Sequence, residues 1–419
     1  MNQISRSKSL GFSAERLARI DRFLAEKYVN PGRIPGAQFV LARHGEVVHE
    51  TVLGCADVER GTRLTDDTVF RIYSMTKPVT SVALMSLVEE GLIALEDPVA
   101  KHIPAWKDLA VYAAGVGPYM TTPCARPMQV VDLLRHTSGL TYGFQSRTNV
   151  DAAYRKLKIA ETHGEHDLEG FIAELAKLPL EFSPGEAWNY SVSTDVCGYL
   201  VQKVAGKPLG QVFRERIFDP LKMGDTGFFV RDDQKGRFAA CYSASPDGPM
   251  NLQAKATGGL TLNDDPAKSP YLAPPRLESG GGGLVSTAAD YMRFANMLLN
   301  EGELDGARIL APKTIRLMAT NHLPGGQDLT QLSRSLFSES TYAGVGFGLG
   351  FAVVFDPAQT LLPSSKGEFY WGVAASTAFW VDPVEKVTAV FMTQLMPSST
   401  WPIRRELRTL VYSALMETA

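Results

Sequence analysis

Between Ser13 and Lys27 the apolar residues Leu17, Ile20, Phe23 and Leu24 are separated by charged ones. A helix turns once per ~3.6 residues, so this spacing predicts an amphipathic helix with Ser13 as its cap. Pro35-Gly36 then leads into Ala37 to Arg43, an apolar run of strand character; His44-Gly45-Glu46 reads as a turn and Val47 to Val52 as the returning strand. From Val79 the pattern changes. Val79, Val82, Ala83, Leu84, Met85, Leu87 and Val88 make that segment apolar on most faces, which predicts a buried helix. A polar, proline-bearing region begins near Glu96, and residues 128–134, 168–178 and 194–204 have helical spacing. The last third turns to strands at 346–354, 376–381 and 387–393, and 407–416 reads as a closing helix. Helix and strands at both ends with helices between predict an α/β (α+β) chain. The α/β part is expected from residues 1–95 and 225–419, and a mainly helical part from 96–224, with the site at their interface.

Two glycine runs interrupt these patterns. Gly344, Gly346, Gly348 and Gly350 alternate with larger residues, so one side of a strand would be bare for close packing. The chain continues as a strand there, which argues against a dinucleotide loop. Gly280 to Gly283 precede a helix bearing Asp290; the run reads as a structural turn near the site or an anion-binding nest.

Composition narrows the class. A chain of 419 residues with 45% hydrophobic and 21% charged residues suits a globular enzyme of one large or two closely packed domains. A net charge of −3 gives no sign of nucleic-acid binding. The first ten residues lack the apolar core of a secretory signal, and no stretch nears the ~20 apolar residues of a membrane span. Cys55, Cys124, Cys197 and Cys241 are widely spaced and read as reduced thiols, so a cytoplasmic location is expected.

The chemistry begins at the head of the buried helix. Ser74 and Lys77 are three residues apart and share a helical face. A serine hydroxyl needs a neighbour to take its proton, and a partly desolvated lysine can assist. A lysine at the start of a buried helix calls for a reason. Pro78 is tolerable only near a helix start, although it disfavours helical angles at Lys77 itself. No G-x-S-x-G elbow is present. His136 enters a tight turn and reads as a hydrogen-bonded structural histidine; His163 and His166 read as loop residues without a third metal ligand. Tyr190 stands in the turn-rich run Ser183 to Ser193. A nearby ammonium would stabilise negative charge on its oxygen, so Tyr190 is a candidate base, with a packing role as the alternative.

Taken together, these motifs resemble the serine β-lactamase-like superfamily, specifically the family VIII carboxylesterases, which are similar to class C β-lactamases. The matching pieces are Ser74-Met75-Thr76-Lys77, Leu133-Leu134-x-His136-Thr137-Ser138-Gly139-Leu140, Pro184-Gly185-x-x-Trp188-x-Tyr190-Ser191, the Gly280 to Leu284 run and Tyr370-Trp371-Gly372-Val373. The resemblance implies a β-lactamase-like fold, an antiparallel sheet flanked by helices plus a largely helical domain. It makes Ser74 the nucleophile, Lys77 its activator and Tyr190 the general base, with the backbone N–H groups of Ser74 and Ala374 as oxyanion hole. Tyr142, Trp371, Gly372 and Val373 would contact substrate, with pocket walls around 142–144 and 323–342. Class C enzymes carry Tyr-x-Asn and Lys-Thr-Gly, where this chain has Tyr190-Ser191-Val192 and Trp371-Gly372-Val373. Loss of that lysine and gain of a tryptophan point to neutral, apolar esters over anionic lactams. The resemblance implies no metal or organic cofactor and a small-molecule ester as substrate. β-Lactamase, D-amino-acid peptidase or amide hydrolase activity, or a non-catalytic binding role, are the alternatives.

Overall fold

The computed structural model describes residues 7–161, 163–245, 259–334 and 342–418. Its centre is an eight-stranded sheet assembled from the two ends of the chain. Strands β1 (Gly36–Arg43), β2 (Glu46–Asp57) and β3 (Thr62–Arg63) come from the N-terminal part. Strands β4 (Val345–Phe347), β5 (Ala352–Val354), β6 (Phe369–Gly372), β7 (Ala378–Asp382) and β8 (Val387–Met392) come from the C-terminal part. The order is β4-β5-β6-β7-β8-β1-β2-β3, antiparallel throughout, and β8 pairs with β1 through Val40 opposite Val390.

Residue parity along the strands assigns the two faces. Phe39, Leu41, Trp380, Ala389 and Phe391 face helices α1 (Ala14–Phe23) and α5 (Ile403–Ala414). Val40, Ala42, Phe379, Val381 and Val390 face the larger core, which holds α2 (Thr76–Glu89), α3 (Ser193–Ala205) and α4 (Ala288–Leu299). Helix α1 starts where the pattern places it, with the Ser13 hydroxyl accepting the Arg16 N–H, and widens into a π turn over Leu24–Val29. In α5, Leu407 and Val411 are wholly buried, each contributing roughly 1.5–3 kcal/mol over leaving it in water. Every residue of α2 from Thr76 to Leu87 is buried, as its continuous apolarity predicts.

The structure corrects one strand. The expected single strand over 346–354 is a hairpin of β4 and β5, closed by the Gly348 N–H donating to Phe351 C=O at 2.9 Å. The break follows from packing. A Cβ at Gly350 would stand 2.2 Å from Ser81 Oγ of α2, and its φ of +108° suits glycine alone. The bare side expected of these glycines is real: a Cβ at Gly346 or Gly348 would meet Asn321 or the Met318 carbonyl. The predicted helices are also trimmed, to Val130–Leu134 and Leu168–Leu175, and a two-stranded ribbon, Ala110–Ala114 with Met120–Pro123, joins that region. Among the described residues no helix is long and apolar enough to cross a membrane.

Candidate active site

Ser74 lies in a 3₁₀ turn, Tyr73–Met75, that runs directly into α2. Tyr73 before it has φ +34°, an uncommon value for a residue with a side chain and a mark of local strain. Lys77 and Pro78 are the second and third residues of α2. First-turn N–H groups have no intrahelical partner, so the proline costs no hydrogen bond there, and Lys77 keeps helical geometry.

The serine, the lysine and the tyrosine meet. The Tyr190 hydroxyl donates to Ser74 Oγ at 2.5 Å, and Lys77 Nζ donates to the same oxygen at 3.3 Å. Lys77 is 1% exposed, and its ammonium also donates to Gly281 C=O at 2.7 Å and to the Tyr142 hydroxyl at 3.0 Å. The ammonium lies 4.6 Å from the centre of the Tyr190 ring, a cation–π distance.

The Gly280–Gly283 run has a structural use here. Gly281 presents its carbonyl to Lys77 while its N–H donates to the buried Asp195 carboxylate at 3.0 Å. A Cβ at Gly281 would fall 2.3 Å from Asp195 Oδ2, so only glycine fits this strap. The turn reading holds; the amide that faces inward meets a protein carboxylate, not a free anion. Burial pushes the Asp195 carboxyl above its ordinary range, against the pull of Lys77. Burial, with Asp195 and Tyr190 nearby, also holds Tyr142 well above the usual phenol range, so its hydroxyl stays protonated beside Lys77.

Tyr190 is fixed by aromatic neighbours. Trp188 stacks on it at 6.2 Å, and the His136 and Trp371 rings approach to 5.1 and 5.6 Å. Gln145 Nε2 donates to the Tyr190 carbonyl. His136 is buried, and its Nδ1 is 3.2 Å from Ser191 Oγ. Burial and the Lys77 charge hold its imidazole well below the ordinary range, hence neutral at neutral pH. It is the structural histidine that the turn predicts.

A cavity of 380 Å³ opens over Ser74. Tyr142, Tyr190, Trp371, Gly372, Val373 and Ala374 all line it, so the structure brings the sequence-predicted site together; Lys77 lies beneath its floor. Phe144 lines it as expected. Of the wall expected from 323–342 only Tyr342 does, because Leu323 packs into the core; residues 335–341 lie outside the described residues. The sequence reading missed Trp188, Tyr271 and Arg404 as lining residues. Trp188 had a signal in the Pro184-Gly185 motif; Arg404 had none, standing 31 positions beyond the Val373 carbonyl it donates to. Among the described residues no group of three or more His, Cys, Asp or Glu could hold a metal. A hydroxyl within reach of a phenol and an amine, under a largely aromatic cavity, is an arrangement for nucleophilic acyl transfer.

The Beta-lactamase family model matches residues 21–413. Protein Rv1367c of Mycobacterium tuberculosis (strain H37Rv) is 36% identical over 370 residues, 87% of each chain. Esterase EstB of Burkholderia gladioli is 29% identical over 411 residues, 96% of each chain. The structure of EstCE1, described as a hydrolase with promiscuous acyltransferase activity, superposes with a TM-score of 0.78 at 28% identity, covering 97% of this chain and 99% of that one. The β-lactamase-like fold expected from the motifs is therefore the fold of this chain.

Proposed function

The chain belongs to the Beta-lactamase family, and from that premise we propose that it is a serine carboxylesterase of the family VIII type, acting on short-chain, apolar acyl esters. The observation that carries this reading is the Tyr190–Ser74 hydrogen bond with Lys77 against both residues. In the ionised form of Tyr190 that acts as base, the phenolate oxygen takes the Ser74 proton and becomes the hydroxyl that later serves the leaving group, and the Lys77 ammonium stabilises the negative charge that passes between the two oxygens. Ser74 Oγ bonds to the ester carbonyl carbon, and the oxyanion lies between the Ser74 and Ala374 N–H groups. Collapse breaks the bond to the leaving alcohol, whose oxygen receives the proton from Tyr190. A water molecule, deprotonated by Tyr190, then attacks the acyl-enzyme and frees the acid and Ser74.

The substrate class is supported by Trp371, which stands where class C enzymes carry lysine, and by Tyr142, Phe144 and Trp188 around the cavity. The relationship to Esterase EstB supports ester hydrolysis. The same reading divides the chain into an α/β part of 1–95 and 225–419 and a helical part of 96–224, and puts the enzyme in the cytoplasm, which cell fractionation tests. The deciding assay sets p-nitrophenyl butyrate beside a chromogenic cephalosporin. Ester turnover that vanishes in Ser74→Ala, with lactam turnover far slower, is the expected result. Faster lactam than ester turnover would move the protein to the β-lactamases. Absence of fluorophosphonate labelling at Ser74, read by intact mass, would make it a non-catalytic relative.

A further inference from the structure

Beyond Tyr370 the strand β6 loses one neighbour. β5 pairs with it only at Phe369 and Tyr370, so among the described strands Trp371 to Ala374 have an open edge. On the other side, Val373 N–H donates to Thr377 C=O and Ser376 N–H donates to Val373 C=O, both at 3.1 Å. Val373 C=O thus points toward β7, and its trans peptide sends the Ala374 N–H the opposite way, to the open edge where the cavity lies.

The same carbonyl has a second donor. Arg404, the second residue of α5, donates from Nη2 to Val373 C=O at 2.7 Å. Gly372 makes room for it: a Cβ there would stand 2.0 Å from Arg404 Nη1. A guanidinium is a permanent cation and a strong donor. Val373 C=O and Ala374 N–H are the two ends of one conjugated amide, so drawing electron density to the oxygen makes the N–H a better donor.

We propose that Arg404 is a positioning residue that fixes and polarises the Val373–Ala374 peptide, so that the Ala374 N–H binds the oxyanion more strongly than an unassisted amide would. This rests on the serine esterase reading above. It gives the Trp371-Gly372-Val373 segment a role besides contact with substrate: Gly372 is the gap through which the arginine reaches the strand. The effect belongs to the transition state, where charge develops, and not to the bound ester.

The test uses the full chain with p-nitrophenyl butyrate, with active enzyme counted by fluorophosphonate titration. In Arg404→Met, kcat falls by about tenfold, less than the ~10²-fold or more of losing a hole donor outright, while KM stays within about twofold. Arg404→Lys recovers part of the loss. Millimolar guanidinium restores kcat in Arg404→Ala, and sodium chloride at the same ionic strength does not. Wild-type kcat in Arg404→Met, a loss confined to KM, or no response to either lysine or guanidinium overturns the proposal. Where Arg404→Met does not fold, Arg404→Lys decides: reduced kcat at constant KM supports the role, and unchanged kcat removes it. Turnover surviving in Ser74→Ala would refute the esterase reading itself. An inert Ser74→Ala beside a fully active Arg404→Met refutes only the part given to Arg404.

Discussion

Helices α2 and α5 lie on opposite faces of one sheet, and each buries a cation. They treat it differently. Arg408 on α5 has a carboxylate partner: Glu368 is 3.2 Å away, and the guanidinium lies over the Tyr370 ring at 3.9 Å. Tyr412 closes the cluster by donating to Glu368 at 2.6 Å. Among the described residues Lys77 on α2 donates to neutral oxygens, those of Ser74, Tyr142 and Gly281, and Asp195 answers its charge from beyond the Gly281 amide. A neutralised pair is spent on holding structure. A charge whose partners are neutral keeps its field available for a developing negative charge at the serine, at a cost in stability.

The contrast breaks most visibly at Lys77. Lys77→Met should lower ester turnover by a factor on the order of 10³ or more, while stability in urea falls by no more than about 1 kcal/mol. Retention of a tenth of wild-type turnover would show that the ammonium is not needed. Arg408→Met should do the reverse, taking the charged partner from buried Glu368 at a cost of about 3–5 kcal/mol, with turnover of the folded enzyme falling far less than in Lys77→Met. Adding Glu368→Gln should recover part of that loss, and an additive double mutant would deny the pair. Gly350→Ala, pressed against Ser81 of α2 at a positive φ, should cost roughly 1–3 kcal/mol in equilibrium unfolding.

The smallest effect concerns His136. Its folded imidazole resists protonation, whereas in the unfolded chain it titrates near pH ~6.5. Below that value the unfolded state binds more protons than the folded one, so this group makes stability fall as pH falls. Melting curves of His136→Gln should be less steep in pH than wild type over this range; identical slopes would remove the histidine from the account.

How much was legible beforehand depends on the distance over which a feature is made. Helix α5 carries a one-faced stripe, and α2 a continuous apolar run after Ser74 and Lys77, so both could be read locally. Tyr190 was readable as a motif; its 2.5 Å contact with Ser74 was not, since 116 positions separate them. The hairpin at 345–354 looked like one strand because the alternation is real on both arms. What divides them is Ser81, far away in the chain, against Gly350. Tyr142 was read as a substrate contact, and it does line the cavity, but its hydroxyl is held by Lys77. No local pattern tells which partner a phenol finds. The Gly281 carbonyl that anchors Lys77 is 204 positions beyond it, and a backbone oxygen leaves no signature in residue type.

The pairing of β1 with β8 sets an order of events during synthesis. Thr393 hydroxyl donates to Gly36 C=O across 357 positions, at the seam where the two ends of the chain join. Ser74 leaves the ribosome long before the strand that walls its cavity has been made. A nascent chain that has not yet made β8 therefore lacks the seam that holds its two ends in one sheet, and with it the complete wall of the cavity over Ser74.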